Sequence, residues 1–174
     1  MVRRVVTFLL LLISISCSHL PTNQHNINLS AVENLKIDET TMVQTEEIFG
    51  KPDISESLEN GKVAWLYLEG KIPSTRLSLV FKNQKLLASN WFIDEGEKES
   101  DLSKIQDRYP SARFVKSEPE WTNSHAAPNY VIYSDAKLKL EVILQKSSNK
   151  VSAIGWGSED DQESRKPAKV KYEF

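Results

Sequence analysis

An α+β fold is predicted, an antiparallel sheet of about six to eight strands made from two helix-plus-three-strand repeats, with the helices packed on one face. Three observations predict it. Short apolar runs alternate with period 2 and are joined by turns too short for parallel crossovers. Each set of three runs follows one short amphipathic helix that glycine or proline ends. The third run of each set closes on a tryptophan, Trp91 and Trp156.

The composition fits a folded chain and narrows its chemistry. Forty per cent hydrophobic with 26 per cent charged is globular rather than disordered. Setting aside Arg3 and Arg4, which lie in a segment read below as removed, leaves 20 basic against 24 acidic residues. A mildly acidic surface has no footprint for nucleic acid, which needs clustered cations to displace counterions. The single cysteine, Cys17, excludes an intrachain disulfide and a Cys-rich metal site. Neither a cofactor nor a metal is expected.

Residues 1–17 have a basic start, an apolar run from Val5 to Ile15 and small residues beyond it, the layout of an export signal. The run is about half of the roughly 20 residues that a spanning helix needs. Cys17, in Ile13-Ser14-Ile15-Ser16-Cys17-Ser18, resembles the lipid-accepting cysteine of a bacterial lipobox. That resemblance implies lipid attachment at Cys17 and, with Ser18 following it, an outer-membrane, lipid-anchored protein facing the periplasm. The alternative is an ordinary signal cleaved beside the small pair Ser14 and Ser16, giving a secreted or periplasmic protein. Residues 18–32, rich in Pro, Asn, Gln and Ser, read as a flexible tether. His19 and His25 fall inside it, where no held partner would complete a metal site.

Residues 33–98 form the first repeat. Thr41-Met42-Val43-Gln44 reads as a capping box, followed by a helix whose apolar face carries Met42, Thr45, Ile48 and Phe49. Gly50 and Pro52 end it. Val63–Leu68, Arg76–Lys82 and Leu86–Ile93 then read as strands, with Asn83-Gln84 as a tight connection.

These residues carry a resemblance. Thr41 through Gly50-Lys51-Pro52-Asp53, then Trp65-Leu66-Tyr67, Leu77-Ser78-Leu79-Val80-Phe81 and Asn83-Gln84-Lys85-Leu86, resemble the small lipoprotein of the β-barrel assembly machinery (the SmpA/OmlA family). More widely, they resemble the β-lactamase-inhibitor-protein-like fold, here as a tandem repeat. The resemblance covers about a third of the chain and implies a role in outer-membrane protein assembly.

Residues 99–158 form the second repeat. A helix runs from Ser100 or Asp101 to Tyr109, and Ala112–Lys116 reads as a short extra strand. Tyr130–Tyr133, Lys137–Gln145 and Val151–Trp156 follow as strands, with Leu138, Leu140, Val142 and Leu144 inward. Overlaying the repeats sets Leu77, Leu79 and Phe81 on Leu140, Val142 and Leu144, Leu86 on Val151, and Trp91 on Trp156. The insertion around Glu118–Pro128 supplies Trp121 and His125 as candidate partner-binding residues. Residues 159–174, an acidic block followed by a basic one, read as a charged tail.

No Ser/His/Asp set, phosphate-cradling glycine loop or ligand-spaced cluster is visible, so no enzyme is expected and no catalytic residue is named. The expectation is a lipid-anchored envelope protein that binds a protein partner. The alternative is a secreted or anchored inhibitor or binder of a periplasmic or extracellular enzyme.

Overall fold

Strand pairing carries this fold. The computed structural model describes residues 25, 27–69, 74–117 and 129–157. The strands are β1 (Ile54–Ser57), β2 (Lys62–Glu69), β3 (Ser74–Lys82), β4 (Lys85–Phe92), β5 (Val115–Ser117), β6 (Tyr130–Asp135), β7 (Leu140–Gln145) and β8 (Lys150–Gly157). They make one eight-stranded sheet in the order β1-β2-β3-β4-β8-β7-β6-β5. Every neighbouring pair is antiparallel.

That order is a palindrome of two halves, and the register repeats with it. In the first half Leu77, Leu79 and Phe81 stand opposite Trp91, Ser89 and Leu86. In the second, Leu140, Val142 and Leu144 stand opposite Trp156, Ile154 and Val151. Both ladders bulge at the matching step, leaving Leu87 unpaired in one and Ser152 in the other. β4 and β8 join the halves, and Asn90 faces Gly155 at the centre. The antiparallel sheet with helices on one face is as expected, and within it Trp91 and Trp156 take matching register positions.

Three short helices pack on one face: α1 (Leu29–Glu33), α2 (Met42–Phe49) and α3 (Leu102–Arg108). They bury Leu29 and Val32, Thr45 and Phe49, and Ile105 respectively. Beneath them lies a single core that includes Trp65, Tyr67, Leu77, Leu79, Phe81, Leu140, Val142 and Ile154. One buried Leu or Phe side chain contributes about 1.5–3 kcal/mol, so the shared core outweighs what either half would bury alone. The capping box forms as expected: the Gln44 N–H donates to Thr41 Oγ1 and the Thr41 N–H donates to Gln44 Oε1. Thr45, fully buried, donates its hydroxyl to the Thr41 carbonyl at 2.9 Å, which satisfies it inside the core.

Four expectations need correction. The tether expected over residues 18–32 gives way to structure before its end. Asn28 accepts from the Ala31 N–H and caps α1, and Leu29, Val32 and Leu35 repeat every three residues to bury one face. Ile48, placed on the apolar face of α2, is 52% exposed, because Thr45 and Phe49 take the i, i+4 contact line. β7 starts at Leu140 rather than Lys137: residues 136–139 form the turn, and Leu138 lies in it 37% exposed. Finally, β1 is an edge strand the sequence concealed; Ile-Ser-Glu-Ser is exposed throughout and lacks an apolar alternation.

Candidate functional site

The described helices pack on one face of the sheet, and none of them lies on the other, called the open face below. Residues paired across an antiparallel ladder share a face, so a row can be traced across all eight strands: Ile54, Leu66, Ser78, Asn90, Gly155, Glu141, Ser134 and Val115. It belongs to the open side. Beside it run Phe92, Ala153, Ile143 and Ile132, and on the other flank Ala88, Val80 and Ala64. Ile54, Phe92 and Val115 are 38%, 37% and 67% exposed. Gly155 keeps the middle flat: a Cβ there would come within 2.7 Å of Asn90 Oδ1, so the amide lies across the sheet centre because the glycine leaves room. The result is a face with Ser78, Asn90, Glu141 and Ser134 along its midline, flanked by apolar side chains of which Ala64, Ala88 and Ala153 are buried.

The two tryptophans mark two corners on the helix side. At the first, the β2–β3 register skips Arg76, and this bulge sets the guanidinium 4.0 Å over the Trp91 ring. Glu97 grips Arg76 with both oxygens, at 2.5 and 2.8 Å. Arg76 also donates to the Phe92 carbonyl, and its Nε lies at ion-pair distance from Glu69 without hydrogen-bond alignment. Burial pushes the Glu97 carboxyl up, but the hydrogen bond from Arg76, the Asp94 N–H and the Arg76 charge outweigh it and hold it low. A cavity of about 400 Å³ opens beside them, lined by Glu69, Thr75, Phe92 and Asp94 among others. At the second corner, Trp156 borders a groove of about 390 Å³ walled by Leu35, Tyr109, Leu138 and Leu140, with Lys137 and Lys139 on its rim.

Two clasps hold the N-terminal segment to the sheet. His25 is docked rather than loose in a tether. Its Nδ1 is 2.8 Å from the Phe49 carbonyl and its Nε2 is 3.0 Å from Asp53, while its ring meets Tyr67 edge-on. Tyr67 donates to the Gly50 carbonyl; burial, then the charges of Glu46 and Asp53, push its hydroxyl pKa up. The second clasp joins the halves. Arg108 on α3 grips both oxygens of Glu33 on α1, at 2.6 and 2.5 Å, and Tyr109 donates its hydroxyl to the same carboxylate. Burial raises the Glu33 pKa, but those donors and the Arg108 charge reverse it and hold it below the ordinary value.

Cys17, Trp121 and His125, the residues singled out from the sequence, lie outside the described residues. Sequence reasoning missed the Arg76–Trp91–Glu97 set. The only clue was an arginine one residue before an inward strand position. Among the described residues no group of three or more His, Cys, Asp or Glu is placed to hold a metal ion. The arrangement of the described residues is built of surfaces and clasps. Among the described residues no helix is long and apolar enough to cross a membrane.

Comparison with known proteins gives a fold likeness and no family. No protein-family model matches the chain, and no curated protein matches it. Among solved structures, an extracellular protein containing an SCP domain from Bacillus anthracis aligns with a TM-score of 0.51 at 10% identity. The alignment covers 83% of this chain and 51% of that protein, so the chain spans about half its length. A DUF4309 family protein from Bacillus subtilis aligns at TM-score 0.48 and 12% identity, over 72% of this chain and 82% of that one. A cysteine-rich secretory protein from Staphylococcus aureus aligns at TM-score 0.42 and 12% identity, over 70% of this chain and 43% of that one. These findings overturn the expected kinship with the β-barrel assembly lipoprotein and with the inhibitor-protein-like fold as a tandem repeat, and with it the outer-membrane, lipid-anchored setting expected from Cys17 and Ser18. The quoted motif is a cap, a Gly-x-Pro stop and alternating strands, which any helix-then-meander unit needs. The chain shares its fold with part of an extracellular SCP-domain protein.

Proposed function

We propose that this chain is a non-catalytic binding domain that works outside the cell and engages an extracellular protein, enzymes included, through its open sheet face. One observation carries the reading: the sheet face opposite the described helices exposes Ile54, Phe92 and Val115 around a centre where Ala64, Ala88 and Ala153 are buried. A solvated sheet face ordinarily alternates to polar residues. An aliphatic one with a polar midline has the make-up of a protein interface core. The export signal expected at residues 1–17 and the extracellular character of the B. anthracis protein support the location.

Site-specific photo-cross-linking tests this in the full chain. Probes at Ser78 and Ser134 report the open face, and a probe at Asp107 on α3 reports the helix side. Incubation with the secreted proteins of the producing organism should give one discrete adduct from the first two sites alone. Phe92→Asp and Ile54→Asp alter exposed positions and should abolish that adduct without unfolding the sheet. Equal adducts from Asp107, or adducts that survive both substitutions, would refute the reading.

A further inference from the structure

The groove beside Trp156 combines apolar walls with two cations. Leu35, Ile37, Leu138 and Leu140 line it together with the Tyr109 and Trp156 rings, and Lys137 and Lys139 stand among them. Leu35 and Leu140 are buried, whereas Leu138, in the turn between β6 and β7, is left 37% exposed. The volume, about 390 Å³, lies within the roughly 300–1,000 Å³ of small-molecule sites, which pair an apolar lining with a few polar groups that fix orientation. The acids nearby leave the two lysines weakly matched. Glu33 also lines the groove, but Arg108 and Tyr109 already hold its carboxylate. Asp135, whose charge reaches Lys137, accepts from the Arg113 and Leu138 N–H groups. Asp38 lies 3.6 Å from the Lys139 ammonium with both side chains about half exposed, a pairing that contributes little in water. Lys139 also has a φ of 51°, the left-handed region that Asn149 takes in the next turn. Glycine and asparagine adopt that region readily and lysine rarely does, so folding of the turn gives no reason for a lysine there.

We propose that this groove binds a free medium-chain carboxylate, with its aliphatic chain along the leucines and Trp156 and its head group at Lys137 and Lys139. This goes beyond the open-face reading and does not depend on it. Charge and shape together select the class. A neutral chain would fill the apolar walls and gain nothing from the lysines. A small anion would meet two solvated point charges and leave the walls wet. The backbone donors of the turn are engaged: the Leu138 N–H with Asp135 and the Lys139 N–H with the Ala136 carbonyl. The head group is therefore held by the ammonium groups, which as compact point charges take a carboxylate without the fork geometry of arginine. A concavity of this size takes one chain, whereas a bilayer would need an exposed apolar face.

Titration of the full chain with octanoate near neutral pH tests this. The Trp156 indole N–H resonance reports the groove, and the Trp91 indole, 3% exposed, is the internal control. Octanoate should move Trp156 and leave Trp91 in place. Decanoate should bind on the order of tenfold tighter, because each buried methylene contributes about fourfold. The alcohol 1-octanol, matched in length and uncharged, should bind roughly fivefold weaker than octanoate, the scale of one exposed ion pair. Lys137→Gln with Lys139→Gln, both in an exposed turn, should remove that difference and bring octanoate to the level of the alcohol. Asp38→Asn, which releases Lys139, should tighten octanoate by about twofold. Leu138→Ser should weaken acid and alcohol alike. Equal affinity for octanoate and 1-octanol in the unaltered chain, no gain with chain length, or a Trp91 shift that tracks Trp156 would overturn the proposal. Anionic lipid vesicles that move Trp156 while octanoate does not would overturn it in favour of a membrane surface.

Discussion

Glu33→Gln tests how the two halves are joined. Glu33 sits on α1 and its partners on α3, so the clasp ties together elements 75 residues apart. Hydrogen bonds to a charged group contribute about 1.5–3 kcal/mol when well sheltered. Here the Glu33 and Arg108 side chains are 22% and 34% exposed, so solvent screening discounts the value, and Arg108 can turn to water once released. Glutamine keeps the size and one acceptor. The expected loss is therefore about 1–2 kcal/mol at pH 7, a fall in midpoint of a few degrees for a domain of this size. The sign of the pH dependence follows from the depressed Glu33 pKa. A carboxyl held below its unfolded value stabilises above that value, about 4.3, and the contribution disappears as pH falls through the lower folded one. Urea unfolding of both chains at pH 7 and near pH 3 measures this. The gap between them should be present at pH 7 and should shrink on acidification. A gap under about 0.5 kcal/mol at neutral pH, or one that persists unchanged in acid, would refute the clasp.

Three further substitutions probe the same architecture. Thr41→Ala removes the acceptor of the capping box and should cost about 1 kcal/mol in urea unfolding, whereas Thr41→Ser should be nearly neutral. Gly155→Ala puts a Cβ against Asn90 Oδ1 and should cost about 1–3 kcal/mol as an overpacked site; shortening the neighbour in Gly155→Ala/Asn90→Ala should recover most of it, and a double mutant no better than the single refutes the contact. Arg76→Ala strips the guanidinium from Trp91, so the Trp91 indole should become accessible to an aqueous quencher while Trp156 is unaffected. An unchanged Trp91 would show that Arg76 does not cover it.

The fold was legible where burial is one-sided and periodic. Leu77, Leu79 and Phe81, and Leu140, Val142 and Leu144, alternate without interruption, and each of the six is buried; a one-residue slip would have put all of them in water. Capping by Thr41 and Gln44 was legible because that chemistry is local. Elements held by distant partners were not. α1 is five residues long and draws on Leu35 and the clasp to Arg108, neither of which its own sequence reveals. His25 looked idle because its partners, Phe49 and Asp53, lie 24 and 28 residues away. The Arg76 set depends on a bulge, and a bulge changes which face a side chain takes without changing the alternation around it. Kinship was misread for the opposite reason: the motif quoted was local, and local chemistry is shared by many unrelated helix-and-strand units.

The symmetry also constrains where function can lie. Two halves that share a core have little freedom in the residues facing it, and the register-matched positions there are apolar: Leu77 with Leu140, Leu79 with Val142, Phe81 with Leu144, Leu86 with Val151. Where the halves differ, folding does not require the difference. Arg76 lies on a strand where Lys139 lies in a turn, Asn90 stands opposite Gly155 on the midline of the open face, and one tryptophan is sealed while the other borders a groove. Those positions lie on the open face and at the two tryptophan corners, outside the row of matched apolar residues that face the core. The substitutions that alter binding should therefore fall at asymmetric positions and cost little stability, and those that cost stability should fall at symmetric ones. A set of binding-defective variants that clusters on the paired leucines, with folding intact, would break that separation.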